Sequence, residues 1–124
     1  MHYAILCYDF EDDVGSWSKE YDDKVMSDLL KVQEKLAKAG RLGPVARLLP
    51  TTAATTLRKS KGEPHVIDGP FAETKEQLLG FYVVDCANLD EALDFARELT
   101  EANPGLGSYE IRPLGYFNAG GLKT

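Results

Sequence analysis

The segment from Asp68 to Glu76, here called the charged loop, combines a turn, an aromatic side chain and ionisable groups in the nine residues DGPFAETKE. Asp68, Glu73 and Lys75 have side chains that can exchange protons with a ligand or bind its charged groups. Apolar surroundings favour the protonated form of a carboxyl group, so Asp68 beside Phe71 would suit general acid–base chemistry. The composition therefore predicts either a binding or catalytic loop or an elaborate connection between two strands.

Both interpretations of the charged loop make structural predictions. Gly69 is expected to take a positive φ, because Asp-Gly favours a tight turn and the following proline keeps the glycine out of the α region. As a structural element, Asp68 would accept backbone hydrogen bonds and Phe71 would anchor the loop in the core. As a functional element, the loop would line a cavity, with Asp68 as the catalytic group and with ligand contacts from Phe71, Glu73 and Lys75.

The other candidates for chemistry are the two histidines, His2 and His65, and the single tryptophan, Trp17. His65 precedes Asp68 by three residues, so in an extended chain their side chains point to opposite faces and form no local dyad. His65 is a second catalytic candidate. His2 is either a ligand contact or an exposed polar residue at a sheet edge. Trp17 would either fix the start of a helix against the sheet or form a pocket wall with Tyr21.

The sequence shows no ligand pattern for a metal ion or a cofactor. Two histidines, two cysteines and scattered carboxylates lack the spacing of a metal site, and no GxSxG, P-loop or GxGxxG motif is present. We therefore predict no metal and no cofactor. Cys7 and Cys86 lie in apolar stretches outside any CxxC pair, which is typical of buried thiols in a reducing compartment.

Composition limits the class of protein. The 124 residues predict one domain over 1–124, and 44% hydrophobic with 27% charged residues is typical of a globular protein. A net charge of −6 with scattered basic residues argues against direct binding of nucleic acid. No apolar run approaches the ~18 residues that cross a bilayer, and no targeting signal is visible. The expected location is the cytoplasm, with no membrane partner.

Hydrophobic patterning predicts the elements that must position these residues. Apolar residues of the long helix recur at helical spacing from Val25 to Leu36, and Gly40 is placed to end that helix. Asn88 is suited to cap the second helix. The acidic segment 9–13 is expected to be a solvated turn. Helices are predicted over 18–39 and 88–103, and strands over 2–8, 42–49, 52–58, 65–67, 80–86 and 109–114.

Without the hairpin at 52–67, the element order is βαββαβ. This order is that of the ferredoxin-like α+β fold, in which both helices cover one face of an antiparallel sheet. Strands 2–8 and 80–86 carry apolar residues at both alternations, so the face without helices also needs a cover. A second copy packed sheet to sheet would supply it, which predicts a homodimer. Tyr116 and Phe117 would reach across to the partner.

The charged loop, followed by Gly80-Phe81-Tyr82, resembles the signature of the YCII-related proteins, in particular their DGPF-domain branch. The opening strand, the segment Asp90-Glu91-Ala92 and the segment from Glu110 to Pro113 are similar to further landmarks of that family. The resemblance extends over essentially the whole chain. It implies that the ferredoxin-like fold, with its inserted hairpin, forms a dimeric α/β barrel in which two sheets pack face to face.

The resemblance implies two alternative functions. Shorter members of the family are regarded as candidate enzymes built around a histidine and an aspartate; of such a pair only Asp68 can be placed here, since neither His2 nor His65 lies in a matching motif. The corresponding prediction is a small-molecule site lined by the charged loop, with acid–base chemistry. DGPF proteins are also associated with extracytoplasmic-type sigma factors, which implies a non-catalytic regulatory or interaction module.

Overall fold

The computed structural model describes residues 1–123, which contain six strands and three α-helices. A single 3₁₀ turn, Thr51–Ala53, precedes the third strand in this described part of the chain. The elements are β1 (His2–Asp9), α1 (Glu11–Gly15), α2 (Lys19–Lys38), β2 (Leu42–Arg47), β3 (Thr55–Arg58), β4 (His65–Asp68), β5 (Gln77–Asp85), α3 (Leu89–Ala102) and β6 (Ser108–Pro113).

Four strands form an antiparallel sheet in the order β2-β5-β1-β6, and β3 and β4 form a separate two-stranded hairpin. The mixed α+β architecture with an antiparallel sheet is therefore confirmed. When α1 and the hairpin are set aside, the remaining elements follow the predicted βαββαβ order, which is compatible with a ferredoxin-like fold. Within residues 1–123, no helix has the length and apolar character needed to cross a membrane.

The hydrophobic core lies between one face of this sheet and helices α2 and α3. Ile5 in β1, Val84 in β5 and Leu99 in α3 are completely inaccessible to solvent, and Val25 and Leu29 of α2 pack in the same cluster. Alternate residues of a strand point to opposite faces, so every second residue of β1 and β5 enters this core. Tyr3 and Ile5 of β1, with Tyr82 and Val84 of β5, therefore lie on the face that meets the helices.

Local sequence signals set the helix ends, and the predicted roles of Gly40 and Asn88 are confirmed. The Ser18 hydroxyl accepts a hydrogen bond from the backbone N–H of Tyr21 at 3.1 Å, which caps α2. The Asn88 side chain accepts one from the backbone N–H of Glu91 at 3.0 Å and caps α3. Gly40 has φ +70° just after α2, a backbone conformation that glycine adopts without strain.

Two local predictions are wrong. The acidic segment is not a solvated turn, since Glu11–Gly15 forms helix α1 and Asp9 is buried, with 6% of its surface exposed. Three carboxylates fall in the first turn of α1, where they interact favourably with the positive end of the helix dipole. The strand expected from residue 52 begins at Thr55, because a 3₁₀ turn follows Pro50.

The face of the sheet opposite the helices, here called the outer face, carries the other set of alternate side chains. The β1–β5 register pairs Leu6 with Phe81 and Ala4 with Val83, and Leu6 and Phe81 are both partly exposed. The expected apolar surface is therefore present. In this chain the Phe117 ring lies 4.8 Å from the His2 ring of its own β1, whereas Tyr116 is exposed.

Candidate functional site

A cavity of about 380 Å³, here called the central cavity, lies between α2 and the sheet. This volume is within the range of small-molecule sites, which are typically lined by apolar and aromatic side chains with a few polar groups. Both kinds of lining are present. The helix side contributes Trp17, Leu29 and Leu30, and the sheet side contributes Cys7, Tyr82 and Tyr109.

The sheet floor of the central cavity includes a glycine, Gly80, at the centre of the strands. Gly80 of β5 lies between Cys7 of β1 and Arg47 of β2 in the strand register, beside an irregularity in the β1–β5 pairing. A Cβ atom at Gly80 would lie 2.5 Å from the carbonyl oxygen of Ala46, so no larger residue fits there without moving the backbone. The β2 backbone therefore packs closely against β5 at Gly80, and no side chain projects from this position beneath α2.

An ion pair closes one side of the central cavity between α2 and β2. Arg47 donates to Asp22 through Nη1 at 3.1 Å and through Nη2 at 2.9 Å, and both residues line the cavity. Such a two-point contact is geometrically specific, although the partial exposure of both side chains limits its contribution to stability. The pair fixes the first turns of α2, next to which Trp17 stacks on Tyr21 with ring centroids 5.2 Å apart.

The sheet side of the central cavity carries three weakly acidic groups in one patch. Burial raises the pKa of the Cys7 thiol to about 12. Burial also raises the pKa of Tyr82 to about 12, with smaller contributions from nearby Cys7 and Tyr109, although a side-chain hydrogen bond with Gln33 lowers it. The pKa of Tyr109 is raised to about 12 by burial, although the hydrogen bond from Asn103 lowers it. All three groups are therefore protonated and uncharged at neutral pH.

These raised pKa values predict a loss of stability at alkaline pH. Tyr82 is buried, and its pKa rises from an ordinary 10.0 to about 12 on folding. The unfolded chain therefore releases this proton at lower pH than the folded chain. The free energy of unfolding is unaffected by Tyr82 below pH 10 and falls as pH rises above it, by about 1.4 kcal/mol per pH unit.

Denaturant titrations at pH 8 and pH 11 measure this effect. Tyr82→Phe removes the ionisable group. From pH 8 to pH 11 the free energy of unfolding of this variant should therefore fall by about 1.4 kcal/mol less than that of the wild type. Tyr116→Phe is the matched control, because Tyr116 is exposed. Equal alkaline losses in the wild type and in Tyr82→Phe would contradict the prediction.

Among the residues predicted from the sequence to form a site, Trp17 lines the central cavity. Asp68 and His65 lie at the two ends of β4, where they pair with Thr55 and Arg58 of β3. Both side chains are exposed and lie outside the lining of the central cavity. Their three-residue separation along an extended strand places them on opposite faces, as expected. Their catalytic roles remain predictions.

The charged loop is held mainly through its backbone. Gly69 has the predicted positive φ, +107°, and its N–H donates to the carbonyl of Ala54 at 2.7 Å. Thr56 donates to the carbonyl of Gly69 at 2.8 Å, and Arg58 donates to the carbonyl of Phe71 at 3.1 Å. The Phe71 side chain is 76% exposed, so the prediction that it anchors the loop in the core is wrong. The β3–β4 hairpin holds the loop instead.

The end of the charged loop lines a second cavity, of about 300 Å³, in which Lys75 faces the acidic residues of α1. Glu11 of this helix is already engaged, since it accepts a hydrogen bond from the Thr51 N–H at 2.9 Å. Gln77 accepts one from the Glu11 N–H at 3.1 Å. These contacts join α1, the 3₁₀ turn and β5. Glu73 is exposed and lines neither cavity.

The remaining predicted contact, His2, is exposed at the start of β1 and lines neither cavity. Within residues 1–123, no group of three or more histidine, cysteine, aspartate or glutamate side chains is arranged to hold a metal ion.

Sequence reasoning missed most of the central cavity. Cys7 and Tyr82 belong to strongly apolar strands, where tyrosine and cysteine are ordinary core residues. A signal was present, because the alternation that carries Ile5 into the core also carries Cys7 inward, and Tyr82 pairs with Ile5. Polar hydroxyl and thiol groups at inward positions of a sheet indicate a polar patch beneath a helix.

Comparison with known proteins gives the family. The family model of the YCII-related domain matches residues 1–118. A protein of Rhizobium meliloti (strain 1021), "Uncharacterized protein R00369", is 66% identical over 124 residues, which cover 100% of each chain. The matched region contains all nine helices and strands described for residues 1–123 and both cavities. The chain therefore belongs to the YCII-related family.

Proposed function

We propose that this YCII-related protein binds a small molecule in the central cavity. The observation that carries the proposal is a space of about 380 Å³ with an apolar and aromatic lining and few polar groups. The lining converges from α2 and all four strands of the sheet, so the side chains are positioned by rigid elements. Trp17 supplies an aromatic wall, and the Asp22–Arg47 pair braces the side next to β2.

The proposal assigns binding to the central cavity and keeps acid–base chemistry as a separate prediction. A general base must lie within hydrogen-bond reach of the proton that it removes. Asp68, the catalytic candidate, is exposed outside this cavity, as are Phe71 and Glu73 of the same loop. Activity that depends on Asp68 would have to occur on a ligand held at the hairpin, and Asp68→Asn would abolish it.

Trp17 makes ligand binding measurable, because it is the only tryptophan in the sequence and lines the central cavity. We expect small aromatic compounds to change its fluorescence and to raise the melting temperature. A ligand at one hundred times its Kd stabilises a protein by about 2.7 kcal/mol, which corresponds to several degrees in a domain of this size.

A blocked cavity provides the matched test. Leu30 and Val45 line the cavity and are partly exposed, so Leu30→Phe with Val45→Phe narrows the opening without overpacking the core. This double variant should lose both the fluorescence change and the thermal shift. Leu106→Phe is the control, because Leu106 is 89% exposed and lies outside the cavity lining. Equal responses in the blocked variant and the control would overturn the proposed site.

A second candidate function, a protein-interaction module, is favoured by the β3–β4 hairpin. Leu57 and Val66 are cross-strand neighbours in this hairpin and are 67% and 72% exposed. An apolar pair presented on a separate arm is a surface that a protein partner can cover. An extracytoplasmic-type sigma factor is the partner that the resemblance suggests. A direct pull-down should weaken with Leu57→Asp and remain unchanged with Leu106→Asp.

We also propose that two chains pair through their outer faces. The support is the apolar surface around Leu6 and Phe81, which helices α2 and α3 leave uncovered because they pack on the other face. Two such faces packed together form the barrel that the resemblance implies. The arrangement leaves the central cavity of each chain on the opposite side of its sheet.

A further inference from the structure

We infer that the ligand of the central cavity is an uncharged, largely apolar molecule with a hydrogen-bond acceptor, such as a carbonyl oxygen, that binds the hydroxyl groups of Tyr82 and Tyr109. This inference rests on the proposed function and names the class of molecule that would be bound. It follows from three features of the cavity lining. The polar groups of the sheet side lie in one patch, the two tyrosine hydroxyls have protons to donate, and the two charged side chains pair with each other.

The polar groups on the sheet side belong to one patch of the cavity floor. Cys7 of β1 and Tyr109 of β6 are directly opposite each other in the antiparallel register. Tyr82 of β5 pairs with Ile5, two residues from Cys7 on the same face of β1. Cross-strand and diagonal neighbours on one face lie within reach of aromatic side chains. Gly80, which pairs with Cys7, lines the same cavity.

Both tyrosines have hydroxyl protons to donate. The hydroxyl oxygen of Tyr109 accepts a hydrogen bond from Nδ2 of Asn103 at 3.1 Å, so its proton is directed elsewhere. Gln33, which also lines the cavity, forms a side-chain hydrogen bond with the Tyr82 hydroxyl that lowers the pKa of Tyr82, as a donated amide N–H does. Both hydroxyl oxygens therefore act as acceptors, and within residues 1–123 no hydrogen bond runs from either hydroxyl to a protein acceptor. Polar groups in a protein interior are normally paired, so a ligand acceptor at this patch would complete the arrangement.

The cavity offers no free counterion for a charged ligand. Among the described residues, the charged side chains in its lining are Asp22 and Arg47, and each satisfies the other through two hydrogen bonds. Buried Asp9 also acts on Tyr109, where its negative charge contributes to the raised pKa after burial and Cys7. A carboxylate bound at the tyrosines would meet this negative charge without a cation, which is unfavourable.

Three bicyclic compounds of similar size test the inference: 2-acetylnaphthalene, 2-ethylnaphthalene and 2-naphthoate. The ketone has an acceptor, the hydrocarbon has none, and the carboxylate is charged. We expect equilibrium titration of the purified protein to give the lowest Kd for the ketone, by roughly two- to tenfold over the hydrocarbon, which is the range of one neutral hydrogen bond. The carboxylate should bind more weakly than the ketone.

Conservative variants identify the donors. Tyr82→Phe and Tyr109→Phe should each raise the Kd of the ketone by roughly two- to tenfold and leave that of the hydrocarbon unchanged. Tyr116→Phe, at an exposed position, should change neither Kd. The infrared stretch of the bound ketone carbonyl should shift to lower frequency in the wild type, and each tyrosine variant should reduce that shift.

The outcomes separate this inference from the proposed function. Equal binding of ketone and hydrocarbon, with no effect of the tyrosine variants, would leave a small-molecule cavity but overturn the tyrosine contacts. Tightest binding of the carboxylate would also overturn the inference, and would indicate an anion that displaces Asp22 from Arg47. Failure of all three compounds to bind would overturn both the inference and the proposed binding site.

Discussion

Gly107→Ala is expected to lower the free energy of unfolding by about 3 kcal/mol, at the upper end of the usual cost of overpacking. A Cβ atom at this position would overlap the carbonyl oxygen of Tyr8 and would lie 2.9 Å from the Cα of Asp9. Both contacts are backbone atoms of β1, so no side-chain rotation can relieve them. The variant must separate the end of β6 from β1, and denaturant titration monitored by circular dichroism measures the cost.

Gly62→Ala is the control for this prediction. No atom lies within 4 Å of the Cβ that alanine would add at Gly62, and its backbone is outside the positive-φ region. Its effect on stability should stay within about 0.5 kcal/mol, the range of ordinary surface substitutions. Similar stabilities for the two alanine variants would show that the close approach at Gly107 is not a constraint.

Gly107→Ala is also expected to affect the central cavity. Gly107 precedes β6, in which Tyr109 pairs with Cys7 on the floor of the central cavity. A displacement of the β6 end would move the Tyr109 hydroxyl relative to Asn103, its hydrogen-bond partner. The folded fraction of Gly107→Ala should therefore bind the ketone more weakly than the wild type does.

The elements of the fold could be predicted because their signals are local. Alternation in β1 and helical spacing in α2 depend on neighbouring residues, and the cap at Asn88 depends on a side chain that bonds the next turn. Gly40 and Gly69 took the expected positive φ for the same reason. Such signals determine where elements begin and end, and their order then limits the sheet to few topologies.

The central cavity could not be predicted in the same way, because its lining comes from residues far apart in the sequence. Cys7, Gly80 and Tyr109 meet only through the pairing of β1 with β5 and β6, including an irregularity between Cys7 and Tyr8. Hydrophobicity alone does not distinguish a tyrosine that fills a core from one that borders a space.

The charged loop shows the opposite error. Its local composition drew attention to Asp68 and Phe71, but local composition does not determine which elements the loop packs against. Because β3 and β4 form a hairpin separate from the main sheet, the loop that follows them leaves Phe71 exposed. The prediction of a turn with positive φ at Gly69 was therefore correct, whereas the prediction that Phe71 packs into the core was wrong.

A charge placed on the outer face is expected to change the oligomeric state. Leu6 lies near the middle of this face, opposite Phe81 of β5 on one side and Glu110 of β6 on the other. Each large apolar side chain covered by a partner contributes roughly 1.5–3 kcal/mol, so a few such residues in both chains can hold two sheets together. An unpaired charge buried between the sheets would cost about 3–5 kcal/mol.

Leu6→Asp is therefore expected to dissociate the dimer. In sedimentation equilibrium at micromolar concentration, the wild type should give about twice the 13.7 kDa mass of one chain, and Leu6→Asp should give the mass of one chain. Val66→Asp, which places the same charge on the exposed hairpin, should remain dimeric. A wild-type mass near 13.7 kDa would refute pairing through the outer face, and so would a Leu6→Asp variant that stays dimeric.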